Sequence, residues 1–292
     1  MPGGHDISLF GPGALGRALS EYIKEHGHTL YTIWGREEHQ CRMNVGSKMI
    51  STRKPFPQYD EDLGEWIFLA VPDDQIAAVV DALATLPLQW TRYSIAHFSG
   101  NRDSSALKQL AKKGAKTASV HPLQTFTRGD GADRFYHITL TLEGDDDFLN
   151  ELDDFFGPSG SKTVRLTPKQ KQAMHVAAVF TSNYMTALLY TAQQVGEKEE
   201  IRDVLSLLQP IIRQTVENLL AKGPAESVSG PLARGDENTV KEHLKLLKGS
   251  PSHKELYSLL GRQLLDLLEH RDESDPDQLA TLRNILSLTG EA

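Results

Sequence analysis

Gly11, Gly13 and Gly16, spaced GxGxxG with Pro12, Ala14 and Leu15 between them, carry the clearest chemical meaning in this chain. Gly11 permits a tight turn, Gly13 lets a ligand approach the backbone, and Gly16 lets a helix pack close to a strand. The apolar run 7–10 precedes the turn and helix-forming residues 17–23 follow it. In that setting the turn holds a dinucleotide pyrophosphate against the partnerless N–H groups of a helix start. A second strand, 29–34, leads into Gly35 and Arg36. Sites for NAD usually place an acidic residue there, on the ribose hydroxyls. Arg36 instead suits a 2′-phosphate, to which it can direct two parallel N–H donors. NADP is therefore expected over NAD, although Glu37 and Glu38 follow at once and either could face the ribose.

The remaining candidates lie where an open α/β sheet places its ligands, beyond the carboxyl ends of strands. Val71, Pro72 and Asp73 close one apolar run, Ser99, Gly100 and Asn101 a second, and His121 and Pro122 a third. Ser99 and Gly100 offer a hydroxyl and open backbone. His121 offers an imidazole, the side chain that ordinarily titrates nearest neutrality. Further on, His175, Val179, Ser182, Asn183 and Thr186 share one face of a helix by the 3.6-residue period. Such a polar stripe lines a cleft or bonds to neighbouring helices. Arg234, in the small-residue loop 229–236, could present a forked donor to a substrate carboxylate.

The elements that must position these groups alternate strand and helix through the first half. Strands are expected at 7–10, 29–34, 65–71, 93–98, 117–120, 137–143 and 163–166, with helices at 73–86, 104–113 and 145–156 between them. This is the pattern of a doubly wound α/β sheet. It stops at Thr167-Pro168-Lys169-Gln170, a capping box with proline at the first helical position. Only helices are expected beyond: 168–195, 198–222, 236–248, 252–270 and 276–288. The domains are accordingly 1–165, a dinucleotide-binding sheet domain, and 166–292, an all-α domain for substrate and dimer contacts. Residues 172–196 contain no charged side chain but do contain His175, Asn183 and Gln193. This predicts a long buried helix at the heart of the helical domain, not a membrane span.

Composition excludes several classes. The chain has 292 residues and a net charge of −8, which argues against non-specific nucleic-acid binding. Its single cysteine, Cys41, permits neither an internal disulfide nor a cysteine zinc site. A cytoplasmic setting is expected, since the first residues show no basic-then-apolar pattern of a secretory signal.

Taken together, the segments 10–16, 69–73, 97–100, 121–126, 175–184 and 230–236 resemble a bacterial two-domain family in which a Rossmann-like domain precedes the domain of unknown function 2520. Its members look like relatives of pyrroline-5-carboxylate reductases and β-hydroxyacid dehydrogenases, with ketopantoate reductase activity in one branch. The resemblance implies a helical domain like that of 6-phosphogluconate dehydrogenase relatives. It also implies a homodimer formed through that domain, and reduction of a small oxo acid. Prephenate dehydrogenases are more distantly similar: Ser99, His121, His175 and Arg234 match their serine, His-Pro histidine, helix histidine and arginine in order and setting. β-Hydroxyacid dehydrogenases use a lysine four residues before an asparagine. Here Lys171 precedes His175 at that spacing, which puts the lysine mechanism in doubt and points to a histidine acid.

The expectation is an NADP-dependent oxidoreductase acting on a small carboxylated metabolite, with no metal. Gly11 to Gly16, Arg36, Val71, Pro72 and Ser99 would hold the cofactor. His121 or His175 would protonate the carbonyl oxygen, with His121 favoured because Pro122 stiffens its loop. Ser99 and Asn183 would orient the oxygen, and Gly100 and Arg234 would bind substrate. A prephenate-dehydrogenase-like enzyme and a non-catalytic NADP(H) sensor are the alternatives.

Overall fold

Short apolar runs bounded by turn residues become the strands of one sheet. The computed structural model describes residues 4–35, 43–45, 48–50, 56–270 and 275–287, and no helix among them is long and apolar enough to cross a membrane. The chain divides into two units, Met1–Tyr184 and Met185–Ala292.

The first unit is built on a seven-stranded sheet. In chain order its strands are β1 (Asp6–Phe10), β2 (Thr29–Trp34), β5 (Trp66–Leu69), β6 (Ser94–His97), β7 (Lys116–Pro122), β8 (Thr139–Gly144) and β9 (Lys162–Arg165). A separate antiparallel pair, β3 (Met43–Val45) and β4 (Lys48–Ile50), was not expected from the sequence. The spatial order is β2-β1-β5-β6-β7-β8-β9. Pairs from β2 through β7 are parallel, β8 runs antiparallel to β7, and β9 runs parallel to β8. The strand order reverses at β1, between β2 and β5, which is where such sheets open a ligand crevice.

Both faces of the sheet are covered, so β5 and β6 are buried along their whole length. One layer packs α1 (Ala14–Glu25) and α4 (Asp146–Phe156) through Leu19, Tyr22, Ile23, Phe148, Leu152 and Phe156. The other packs α2 (Asp73–Ala84) and the short α3 (Lys108–Ala111) through Ile76, Val80, Leu83 and Leu110. The helix expected at 104–113 is a 3₁₀ turn, Ser104–Leu107, running into α3. The strand expected from His137 begins at Thr139, because His137 adopts a left-handed backbone with φ 56°.

Helix α5 (Pro168–Val179) starts with the expected capping box of Thr167 and Gln170. The expected single helix 168–195 is instead α5, a π-helical turn over Phe180–Tyr184, and α6 (Met185–Lys198). In the π turn Thr181 and Ser182 donate their hydroxyls back to the carbonyls of Ala177 and Ala178. The unit boundary falls within this stretch, after Tyr184, and α5 belongs to the first unit. Residue 165 marks a different transition, from the last strand to helices.

The long buried helix expected over 172–196 is a correction. Val176, Phe180, Tyr184 and Tyr190 are all more than half exposed. Lack of charge there does not translate into burial among the described residues.

The second unit contains α6, α7 (Val204–Lys222), α8 (Pro224–Ser227), α9 (Glu237–Leu246), α10 (Pro251–Leu268) and α11 (Pro276–Ile285). Its core joins Leu232, Val240, Leu265, Leu268, Leu279, Leu282 and Leu286.

Candidate active site

The Gly-rich turn joins β1 to α1. Gly11 has φ 100°, which a side chain would resist, and a β-carbon there would strike the carbonyl of Ala70 at the end of β5. A β-carbon on Gly16 would strike the carbonyl oxygen of Gly11. Gly13 differs, since a β-carbon on it would meet no atom of the described residues within 4 Å. Gly13 also caps α1 and supplies no side-chain bond to the first-turn amides. Those N–H groups thus face outward with no helical partner, and no acidic residue occupies the first turn.

A cleft of about 820 Å³ opens over this turn. Gly11, Pro12, Gly13, Ala14, Val71 and Pro72 line it, together with Trp34, Gly35 and Gln75. Leu15 and Gly16 lie behind the surface, Leu15 packed against the core and Gly16 buried. The open space at Gly13, the uncapped helix start and the cleft volume fit a dinucleotide, with its pyrophosphate on the turn. Arg36 lies outside the described residues. Two arginines that the sequence reading missed line the same cleft, Arg17 and Arg128. Arg17 donates from Nε to the Pro12 carbonyl at 3.2 Å. Arg128 sits on a turn fixed by Thr127, whose N–H and hydroxyl both donate to Asp130.

The second cluster forms past the carboxyl ends of β6 and β7. His97, fully buried, has both ring nitrogens partnered: Nδ1 accepts from the Ser99 N–H at 3.3 Å, and Nε2 donates to the Asp103 carbonyl at 2.9 Å. Burial pushes its imidazole down to about 4. Ser99 is also buried, and its hydroxyl oxygen accepts from the N–H groups of Asn101 and Arg102 at 3.1 and 2.9 Å. Its proton remains available to an acceptor.

Gly100 brings two histidines together. A β-carbon on it would lie 2.7 Å from His121 Nε2 and closer still to His175 Nδ1. The two rings meet edge to face with centroids 5.4 Å apart. Burial, then Lys171, then His175 push the His121 imidazole down to about 4. At pH 7 it is a neutral ring.

Lys171 lies one turn before His175 on α5 and is the most unusual residue of the unit. It is 1% exposed, and its ammonium has no hydrogen-bond partner. Burial pushes its pKa down to about 8 against the opposing pull of Glu143, Asp73 and Asp103. Those carboxylates act from beyond hydrogen-bond distance, and Glu143 is already engaged by the N–H and hydroxyl of Ser104. The Nδ1 atoms of His121 and His175 are likewise buried without partners. Asp73 links the two places: it follows the cleft-lining Pro72 and acts electrically on both Lys171 and His121.

The first unit therefore brings Ser99, Gly100, His121 and His175 together, with Lys171 and His97 added. Asn183 sits in the π turn of the same unit, exposed, its side-chain oxygen accepting from Ser182. Arg234 belongs to the second unit, on an exposed turn in which its N–H donates to the Gly230 carbonyl. The i, i+4 spacing of Lys171 and His175 was the available signal for the lysine.

A mostly parallel seven-stranded sheet with a Gly-rich β1–α1 turn, extended by helices, defines a Rossmann-type protein. More narrowly, the chain belongs to the family that joins a Rossmann-like domain, matched over residues 5–122, to the domain of unknown function DUF2520, matched over residues 138–264. No curated protein sequence matches it. Among solved structures it is similar to a Bacteroides fragilis protein described as an NADP oxidoreductase, at 20% identity over 89% of this chain and 98% of that one, TM-score 0.72. A Thermotoga maritima protein aligns at 24% identity, over 90% and 98%, TM-score 0.66. The reductive aminase of Aspergillus terreus, solved with NADPH and ethyl levulinate, aligns at 16% identity, over 96% and 99%, TM-score 0.64. At these identities the likeness is one of fold.

Proposed function

We propose that this protein is an NADP(H)-dependent oxidoreductase that reduces the carbonyl group of a small carboxylated metabolite, in the manner of a 2-oxo acid reductase. The observation that carries this reading is that the cleft of about 820 Å³ over the Gly-rich turn and the buried histidine–lysine cluster lie past the carboxyl ends of neighbouring strands of one sheet. The amides of the Gly11–Gly16 turn and α1 hold the pyrophosphate, Val71 and Pro72 flank the cofactor, and Arg36 takes the 2′-phosphate. Bound NADPH supplies the two-electron reducing equivalent. The aligned Aspergillus reductive aminase, solved with NADPH and a keto ester, is an example of this fold holding that cofactor together with a carbonyl compound.

The chain's own residues manage the proton and the oxygen. Ser99 donates its hydroxyl hydrogen to the substrate oxygen, and Asn183 helps orient it. His121 delivers the proton from Nε2, the ring nitrogen beside Gly100, and His175 orients substrate. Because His121 is neutral at pH 7, it can give a proton away only if one is returned to it. The molecule works as a homodimer through its helical domain.

Binding and turnover test the reading separately. The wild type should bind NADPH more tightly than NADH, and Arg36→Ala should narrow the difference. Screening 2-oxo acids for NADPH oxidation should find turnover. His121→Asn should then slow single-turnover reduction by about 10²–10⁴ with little change in NADPH affinity. NADPH binding without turnover of any oxo acid would mark a redox sensor, and equal affinity for both cofactors would reject the role of Arg36.

A further inference from the structure

Among the described residues five buried side-chain nitrogens of the first unit lack partners, and three of them, on Lys171, His121 and His175, are chemically complementary. Lys171 Nζ is a donor only, and the Nδ1 atoms of His121 and His175 are acceptors when the ring hydrogen sits on Nε2. A buried donor left unpaired is costly, and more so when charged. His97, the third imidazole of the cluster, shows what a closed arrangement looks like, with both nitrogens engaged.

We infer that Lys171, whose ammonium makes no hydrogen bond among the described residues as they stand, is a positioning residue whose flexible side chain swings to donate to the buried Nδ1 of His121 or His175 and returns the proton that His121 gives to substrate. This inference rests on the reductase reading above. A proton donor at Nδ1 forces the ring's own hydrogen onto Nε2. In His121 that nitrogen lies beside Gly100, at the open strand end. As the carbonyl carbon is reduced and the nicotinamide oxidised, the oxygen takes the hydrogen of His121 Nε2. Nδ1 of the same ring takes one from the Lys171 ammonium, which becomes a neutral amine and later regains its proton from solvent. The ring is never charged for long, which suits an imidazole that burial holds neutral. The lysine can release its proton readily, since burial has moved it to about 8.

The charged or titratable groups that share the lysine's cluster are His97 on β6, Asp103 after it, His121 on β7, Glu143 on β8, Asp73 on α2 and His175 on α5 itself. Among these the carboxylates only raise the lysine's affinity for its proton. The two orphan imidazole nitrogens are the acceptors left to receive it.

Nitrogen-15 NMR of the imidazoles in the full chain, with no cofactor or substrate, tests this. In the wild type, His121 should be the Nε2–H tautomer at pH 7, with a shift inflection near the lysine's value of about 8. Lys171→Met should abolish the inflection and the tautomer preference, and should raise the His121 midpoint by about half a pH unit through loss of a neighbouring cation. Lys171→Arg, charged throughout, should keep the tautomer and lose the inflection. If the methionine variant does not fold, the arginine variant decides, and an inflection that survives in it overturns the inference. A wild-type His121 ring in the Nδ1–H form, or identical titrations in wild type and Lys171→Met, overturn it equally. A failed oxo-acid screen beside a positive NMR result would count against the reductase reading alone. Turnover beside an Nδ1–H ring at His121 would count against the relay alone.

Discussion

Gly100→Ala probes the centre of the site without touching a reactive group. The backbone at Gly100 is not in the left-handed region, so alanine brings no conformational strain and its effect is purely steric. The new β-carbon would stand 2.7 Å from His121 Nε2 and 2.8 Å from its Cε1, with His175 Nδ1 nearer still, whereas ordinary contact begins at 3.4 Å. The His121 ring must retreat by about 0.7 Å and the His175 ring by more, and misplacement by about 1 Å costs about 10²-fold in rate. The expected result is a fall of about 10²-fold in single-turnover reduction, with NADPH affinity changed by less than about threefold. The affinity should hold because Gly100 does not line the dinucleotide cleft. Single-turnover absorbance of NADPH and a direct binding titration measure the two quantities. A rate within about fivefold of wild type would place the reacting atoms away from the two imidazoles. Loss of NADPH binding would show that the variant had disturbed the cofactor cleft, and the reasoning would fail for the opposite reason.

Gly16→Ala, whose methyl would collide with the Gly11 carbonyl, should abolish NADPH binding and lower Tm; a variant that binds NADPH normally would contradict the backbone contact described. Acid should destabilise the first unit through His97: its folded pKa is depressed to about 4, so the unfolded chain binds more protons and stability falls as pH drops from about 6.5 towards 4. That single ring accounts for about 2–3 kcal/mol lost between pH 7 and 4.5, readable as a shift in urea midpoint; a flat stability profile over that range would refute it. Leu207 and Ile211 on α7 are 66% and 62% exposed, so the proposed dimer should sediment at twice 32.4 kDa at micromolar concentration and dissociate in Ile211→Asp. A single 32.4 kDa species in the wild type would exclude that interface.

Much of this was legible because the signals are local. The Gly-rich turn, the apolar runs of β1, β2, β5 and β6, and the Thr167 capping box each depend on a few adjacent residues. Strand direction does not: nothing in residues 139–144 announces that β8 reverses against β7. The break of the helix over Phe180–Tyr184 was also hidden, since an inserted π turn leaves the apolar periodicity almost intact. Lys171 was noticed by its spacing but set aside as the acid, because His175 stands four residues on where the lysine mechanism expects an asparagine. Its burial could not be read from its own helix, and the groups that act on it, Glu143, Asp73 and Asp103, come from three other places in the chain. Conversely, the uncharged stretch 172–196 suggested burial that Val176, Phe180, Tyr184 and Tyr190 do not show.

The three glycines of the turn answer to different masters. Gly11 and Gly16 are demanded by neighbouring backbone, whereas no described residue fills the space beside Gly13. A descendant of this fold that ceased to carry a nucleotide would therefore be free to fill position 13 while still needing the other two to fold. Gly13 is thus the one letter of the fingerprint that reports cargo and not architecture. Gly13→Val should leave the melting curve where it is and shut the cleft, separating in one substitution what the motif read as a whole cannot.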